Sequence, residues 1–172
     1  MLEQEFAIGD YITFGGSTLG LTPSSRQHMI TLLEALNAEK KYKPETLYLA
    51  ASLCDRYLVN LAIKQERAPS LIILSVICTL MAAKLEQPLQ PNFTLMVRLV
   101  KSEWNISLEK QNLIDLEEAI IKSLDYELHF TGPILFLERH LRIYNLDLTR
   151  TDREAHTLNL LAHTFCRMIL RT

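Results

Sequence analysis

The chain has 172 residues, 48% of them apolar, enough for one domain with a sizeable core or for one domain and part of a second. Its 18 basic and 20 acidic residues leave a formal net charge of −2, so no broad basic surface is expected to hold nucleic acid by its phosphates. Cys54, Cys78 and Cys166 are odd in number, widely spaced and set among apolar residues. They read as reduced core thiols of an intracellular protein, and no metal or cofactor is expected.

The opening MLEQEFAIGDYITF carries acidic residues where a signal peptide needs basic ones, so the cytoplasm or nucleus is the expected location. Residues 1–21 include Gly15, Gly16 and Gly20 and read as a flexible lead-in. No Gly-Lys-Ser/Thr follows them, so they do not form a phosphate-cradling loop. Thr22-Pro23-Ser24-Ser25 is a helix start signal, followed by Met29, Ile30, Leu32, Leu33 and Leu36 at helical spacing. Pro44 opens a second helix whose face carries Leu47, Ala50, Ala51, Cys54, Leu58 and Leu61. Asp55 falls in its small-residue, buried stretch, and a buried carboxylate needs a partner.

Between Ala68 and Ala83 no residue is charged, and the apolar side chains point all round a helix. Such a helix must be surrounded. The run is shorter than the roughly 20 residues of a bilayer span and contains Ser70, Ser75 and Thr79, so no membrane is expected, and about 69–86 reads as the central helix of a helical domain. Pro88 and Pro91 end it. A short helix at about 93–101 follows, then one that Ser107 can cap, running through Tyr126 with Leu113, Leu116, Ile120, Ile121 and Leu124 as its apolar stripe. Gly132-Pro133 breaks the chain. Two further helices, about 134–144 and 152–170, complete it, the second with Thr151 and Glu154 at capping-box spacing.

The class is therefore all-α, with a five-helix bundle over 22–131 around the central helix and a partial second helical repeat over 132–172. Catalytic patterns are weak. Ser107 and Lys110 have the Ser-x-x-Lys spacing of some acyl-transfer enzymes but fit a capped amphipathic helix better. His156 and His163 share a helix face without further ligands. Lys84, where the central helix leaves the core, and Glu117, on the helix expected to cover it, can frame one rim of the apolar Met81, Leu85 and Ile121. There the pair can engage backbone groups of a partner. Spacing alone leaves a plain surface lysine and glutamate as the alternative.

Three segments in order resemble the cyclin box, over about Ser24 to Leu137. Glu45-Thr-Leu-Tyr-Leu-Ala-Ala-Ser-Leu-Cys-Asp-Arg-Tyr-Leu58 is similar to the family's second helix, and Met81-Ala-Ala-Lys-Leu-Glu86 to the end of its third. Leu116-Glu-Glu-Ala-Ile-Ile-Lys-Ser-Leu-Asp-Tyr-Glu-Leu128, with Thr131-Gly-Pro-Ile-Leu-Phe-Leu137, resembles its fifth helix and the passage into the second repeat.

The resemblance implies a non-enzymatic regulatory subunit that binds and activates a cyclin-dependent serine/threonine kinase by docking its regulatory helix. It carries the kinase-contacting lysine and glutamate onto Lys84 and Glu117, and the apolar contacts onto Leu85, Ile121 and Tyr126. It also implies a buried structural pair of Arg26 with Asp55. The family's patch for Arg-x-Leu substrate motifs falls on Ser25, Met29 and Leu32, where the tryptophan anchor is lost, so that docking is not expected. The alternative is a cyclin-fold scaffold that binds a helical partner in a structural assembly without activating a kinase. A DNA-binding cyclin-fold factor would need a basic face, which the charge balance opposes.

Overall fold

The computed structural model describes residues 11–89, 91, 93–107, 109–144 and 153–171. Every regular element among them is a helix: α1 (Tyr11–Leu19), α2 (Pro23–Lys40), α3 (Pro44–Lys64), α4 (Leu71–Glu86), α5 (Phe93–Trp104), α6 (Lys110–Ser123), α7 (Pro133–Ile143) and α8 (Arg153–Arg171). The chain divides into two compact units, the first ending at His129 and the second starting at Phe130.

The first unit is built around α4, which is buried without a break from Leu74 to Ala83. Helices α2, α3 and α6 pack against it. Two hydroxyls are tolerated in this apolar setting because each donates to the carbonyl one turn back: Ser75 to Leu71 and Thr79 to Ser75, both at 2.7 Å. Gln87, just beyond α4, donates from Nε2 to the Thr46 hydroxyl at 2.6 Å and ties the end of α4 to the start of α3. At the start of α2 the Thr22 N–H donates to Ser25 Oγ at 3.0 Å, and Pro23 occupies the first turn.

The stretch read as a flexible lead-in is helical from Tyr11 onward. Its Tyr11 and Leu19 are buried, and α1 packs on α3. The glycines that suggest a linker have a packing role instead. A Cβ on Gly15 would lie 2.5 Å from Ala62 Cβ, so glycine lets the two helices approach, and Gly20, at φ +72°, makes the turn after α1. Sequence periodicity is blind to this, because a helix packed through a bare backbone shows no apolar side chain at the contact.

Asp55 joins three elements. Its carboxylate accepts from Arg26 through Nη2 at 2.9 Å and Nε at 3.2 Å, and from the Tyr11 hydroxyl at 2.8 Å. Asp55 is 2% exposed, so these donors replace the water it has lost. Burial, followed by the charge and hydrogen bond of Asp55, raises the Tyr11 pKa far above that of a free phenol. Burial works against the charge on Arg26, but the hydrogen bond and charge of Asp55 outweigh it, and the guanidinium pKa is raised.

Helix α6 differs from its sequence reading at both ends. Its N-cap is Glu109, so Ser107 lies upstream, exposed, and caps nothing. It stops at Ser123 rather than running through Tyr126, because Asp125 and Tyr126 are both left-handed, at φ 51° and 64°. Tyr126 N–H donates to the Ile121 carbonyl at 3.0 Å and Asp125 N–H to that of Lys122 at 3.2 Å, the hydrogen-bond pattern of a Schellman cap with aspartate where glycine is usual.

In the second unit α7 begins after Gly132 with Pro133 in its first turn, and α7 packs on α8. The Thr151 end of the expected capping box lies outside the described residues.

Two experiments test this packing. Gly15→Ala would normally strengthen a helix by roughly 1 kcal/mol. Here the crowding against Ala62 is expected to reverse the sign and cost about 1–2 kcal/mol in urea unfolding. Gly15→Ala with Ala62→Gly is expected to cost less than the sum of the single changes.

For the Asp55 cluster, Asp55→Ala strands Arg26 and is expected to cost about 3–5 kcal/mol, whereas Tyr11→Phe leaves the ion pair and costs about 1 kcal/mol at pH 7. An unfolded tyrosine ionises near 10.0, while native Tyr11 holds its proton well above that. Unfolding above pH 10 therefore releases a proton, and Tyr11 lowers stability as pH rises, by about 1 kcal/mol between pH 10 and 11 and approaching about 1.4 kcal/mol per pH unit beyond. Tyr11→Phe is expected to remove that share of the slope between pH 10 and 11.

Candidate functional site

Helix α4 loses its cover in its last turn. Ala83 is fully buried and the next two residues, Lys84 and Leu85, are exposed, so the position of Lys84 follows from where the packing of α4 ends. A lysine there also suits the negative end of the helix dipole. Glu117 reaches it from the middle of α6, and Lys84 Nζ meets Glu117 Oε1 at 2.5 Å. The two side chains are 42% and 23% exposed. A pair this open to water contributes only about 0–1 kcal/mol to folding, so stability does not account for its placement. Its chemistry is that of a two-sided clasp. The ammonium keeps spare donors for a carbonyl, and the carboxylate keeps a second oxygen for an N–H.

Apolar residues follow the clasp along both helices. Leu85 follows Lys84 and is 54% exposed, Ile121 lies one turn after Glu117 on α6 and is half-buried, and Tyr126 is 73% exposed. The Schellman cap that ends α6 brings Tyr126 back over Ile121, since its N–H bonds the Ile121 carbonyl. Met81, expected at the rim, is 2% exposed and lies in the core beneath it instead, one helix turn too far inside. Beside the pair, a cavity of about 200 Å³ is floored by Ile77, Leu80 and Leu113 and bordered by Lys84 and Glu117. The structure thus gathers Lys84, Glu117, Leu85, Ile121 and Tyr126 on α4, α6 and the turn after α6. Arg26 and Asp55 belong to the cluster that joins α1, α2 and α3.

Two residues of this region escape a reading by sequence pattern. Arg56 Nη2 donates to the Glu127 carbonyl at 2.8 Å, and Asn60 Nδ2 donates to the Ser123 carbonyl at 2.6 Å. The one sign of them is that two polar side chains four apart interrupt a helix that is otherwise buried on most sides. Tyr11 is likewise absent from any motif and emerges only through its bond to Asp55.

No group of three metal-ligating side chains converges among the described residues, and no helix among them is long and apolar enough to cross a membrane. His156 is exposed on α8, and Cys54, Cys78 and Cys166 are free thiols in buried positions. Burial, then the hydrogen bond with Cys78, raises the Cys54 pKa well above that of a free thiol, which suits an inert core position.

A family model described as the cyclin N-terminal domain matches residues 2–129. Among curated proteins the chain is 30% identical over 122 residues to Cyclin-A1-2 of Arabidopsis thaliana, covering 71% of this chain and 26% of that protein. It is 28% identical over 124 residues to G2/mitotic-specific cyclin-B of Emericella nidulans, covering 71% and 24%. It is 29% identical over 119 residues to G2/mitotic-specific cyclin-4 of Saccharomyces cerevisiae, covering 69% and 24%. The matched region is about a quarter of the length of these relatives. With the described residues of the first unit all-helical and the family model spanning nearly all of that unit, the chain belongs to the cyclin family.

Proposed function

We propose that the chain is the kinase-binding part of a regulatory subunit, which docks the regulatory helix of a cyclin-dependent serine/threonine kinase and thereby activates it. The observation that carries this reading is the pairing of Lys84 with Glu117 where α4 leaves the core, with Leu85 on α4 and Tyr126 after α6 exposed. Lys84 takes a carbonyl and Glu117 an N–H beside the kinase helix, while Leu85, Ile121 and Tyr126 pack on its apolar side. Held inward, that helix presents the glutamate that must pair with the kinase's ATP-positioning lysine. The chain contributes position and no chemistry. Two of the relatives named above carry the name G2/mitotic-specific cyclin, which favours a cell-division role, in cytoplasm or nucleus.

Capture from native lysate, read by mass spectrometry, tests the proposal. Wild-type protein is expected to retain a protein kinase, and Lys84→Ala with Glu117→Ala to lose it by at least about tenfold, with stability changed by less than about 1 kcal/mol. Equal kinase capture by both forms removes the site assignment. Retention of the same structural proteins by both forms, without a kinase, favours the scaffold reading.

Substrate docking through α2 is not part of the proposed function. Of the three positions that would form that patch, Met29 is fully buried and Ser25 and Leu32 are half-buried, leaving little apolar area without the tryptophan. Peptides bearing Arg-x-Leu are expected to show no binding by calorimetric titration at micromolar concentrations.

A further inference from the structure

Helices α2, α3, α5 and α6 each end with a left-handed residue that is not glycine: Lys41, Gln65, Asn105 and Asp125. Among the described residues only α6 follows it with a second, Tyr126. Two successive side-chain-bearing residues in this region are unfavourable, and they persist only where surrounding contacts leave the backbone no alternative. Those contacts are present on both sides of the turn. Before it, Asn60 Nδ2 donates to the Ser123 carbonyl at 2.6 Å and also lies 3.2 Å from the Ser123 hydroxyl. After it, Arg56 Nη2 donates to the Glu127 carbonyl at 2.8 Å. Within it, Glu127 N–H donates to the Leu124 carbonyl at 2.9 Å and Leu128 N–H to that of Tyr126 at 3.1 Å.

Arg56 and Asn60 stand one turn apart on the same face of α3, so one rigid core helix holds both ends of the turn. The side chain at the apex gains nothing in burial from this, since Tyr126 remains mostly in solvent. A strained backbone, fixed from the core and presenting an exposed aromatic ring, is what a pre-ordered contact residue requires.

We propose that Arg56 and Asn60 are positioning residues of the kinase-binding face, which hold the turn after α6 so that Tyr126 meets the partner helix in a fixed stance beside Ile121. For its consequence in binding, the inference rests on the kinase-docking reading. It assigns Arg56 no contact with the partner, so its effect must pass through Tyr126.

The test compares wild type, Arg56→Ala, Arg56→Lys, Asn60→Ala, Tyr126→Ala and the Arg56→Ala/Tyr126→Ala double variant. Affinity for the kinase captured by the wild type is measured together with amide hydrogen exchange. Arg56→Ala is expected to weaken binding about five- to tenfold, Asn60→Ala similarly, and Tyr126→Ala by about tenfold or more, with the double variant no weaker than Tyr126→Ala alone. Arg56→Lys, which can still donate to the Glu127 carbonyl, is expected to recover most of the loss. Amides of residues 124–128 are expected to exchange about tenfold faster in Arg56→Ala, with α3 and α4 unchanged, which separates a loosened turn from a destabilised fold.

Wild-type affinity in Arg56→Ala, or losses that multiply in the double variant, would overturn the inference. If wild-type protein binds no kinase, the docking reading falls, and exchange alone decides the positioning. Unchanged exchange at 124–128 then overturns it, and acceleration confined to that stretch supports it.

Discussion

The fold depends on one constraint, that α4 has no side it can show to water from Leu74 to Ala83. A helix of that kind is stable only inside a ring of others, and α2, α3 and α6 supply the ring. Each supplies an apolar face of its own: Met29, Ile30, Leu33 and Leu36 on α2, most of α3, and Leu113 and Ile120 on α6. The same constraint places the candidate site. Where the ring stops, α4 must become polar, and Lys84 is its first charged residue. A lysine one turn earlier would be buried among apolar side chains, and one turn later would lie beyond the helix.

Two ion pairs of the first unit have opposite settings, which suit opposite roles. The Asp55 carboxylate is sealed from water, and losing a donor there leaves an uncompensated buried charge. Its value lies in holding α1 and α2 against α3 at one point. The pair of Lys84 and Glu117 stands in water on both sides, where the gain from charge attraction is small and easily surrendered. A buried pair could not serve as a docking clasp, because it has no free donors or acceptors left. An exposed pair could not serve as a structural pin, because water competes for it. Asp55 has the setting of a pin, and Lys84 that of the clasp in the proposed function.

Much of this was legible in the residues themselves. The charge-free run from Ala68 to Ala83 announces the central helix, and Thr22-Pro23 and Pro44 announce the starts of α2 and α3, because burial and capping both leave local marks. What escaped had no local mark. Helix α1 packs on α3 through the bare backbone of Gly15, and residues chosen for absence of bulk look like those of a linker. The end of α6 has no local mark either, because left-handed Asp125 and Tyr126 are stabilised by Arg56 and Asn60, more than sixty residues away in sequence. Lys84 and Glu117 were visible as neighbours of a core helix end, but their charges alone fit any surface pair. Their family likeness singled them out, and the 2.5 Å contact places them together.

The exposed site is more ordered than its exposure suggests, and that order bears on how it can bind. A free lysine carries several rotatable bonds whose freedom is lost on docking, at roughly 0.5–1.5 kcal/mol for each such side chain. In the unbound chain Lys84 is already directed by Glu117, and Tyr126 by a turn tied at both ends to α3. The exposed Lys84–Glu117 pair adds little to folding stability, so its ordering bears on binding, where less remains to be ordered. The arrangement also explains why α6 supplies both Glu117 and the turn. One helix, anchored by Leu113 and Ile120 in the core, sets the distance between the clasp and the aromatic ring. On the proposed function, a partner helix meeting both must match that spacing.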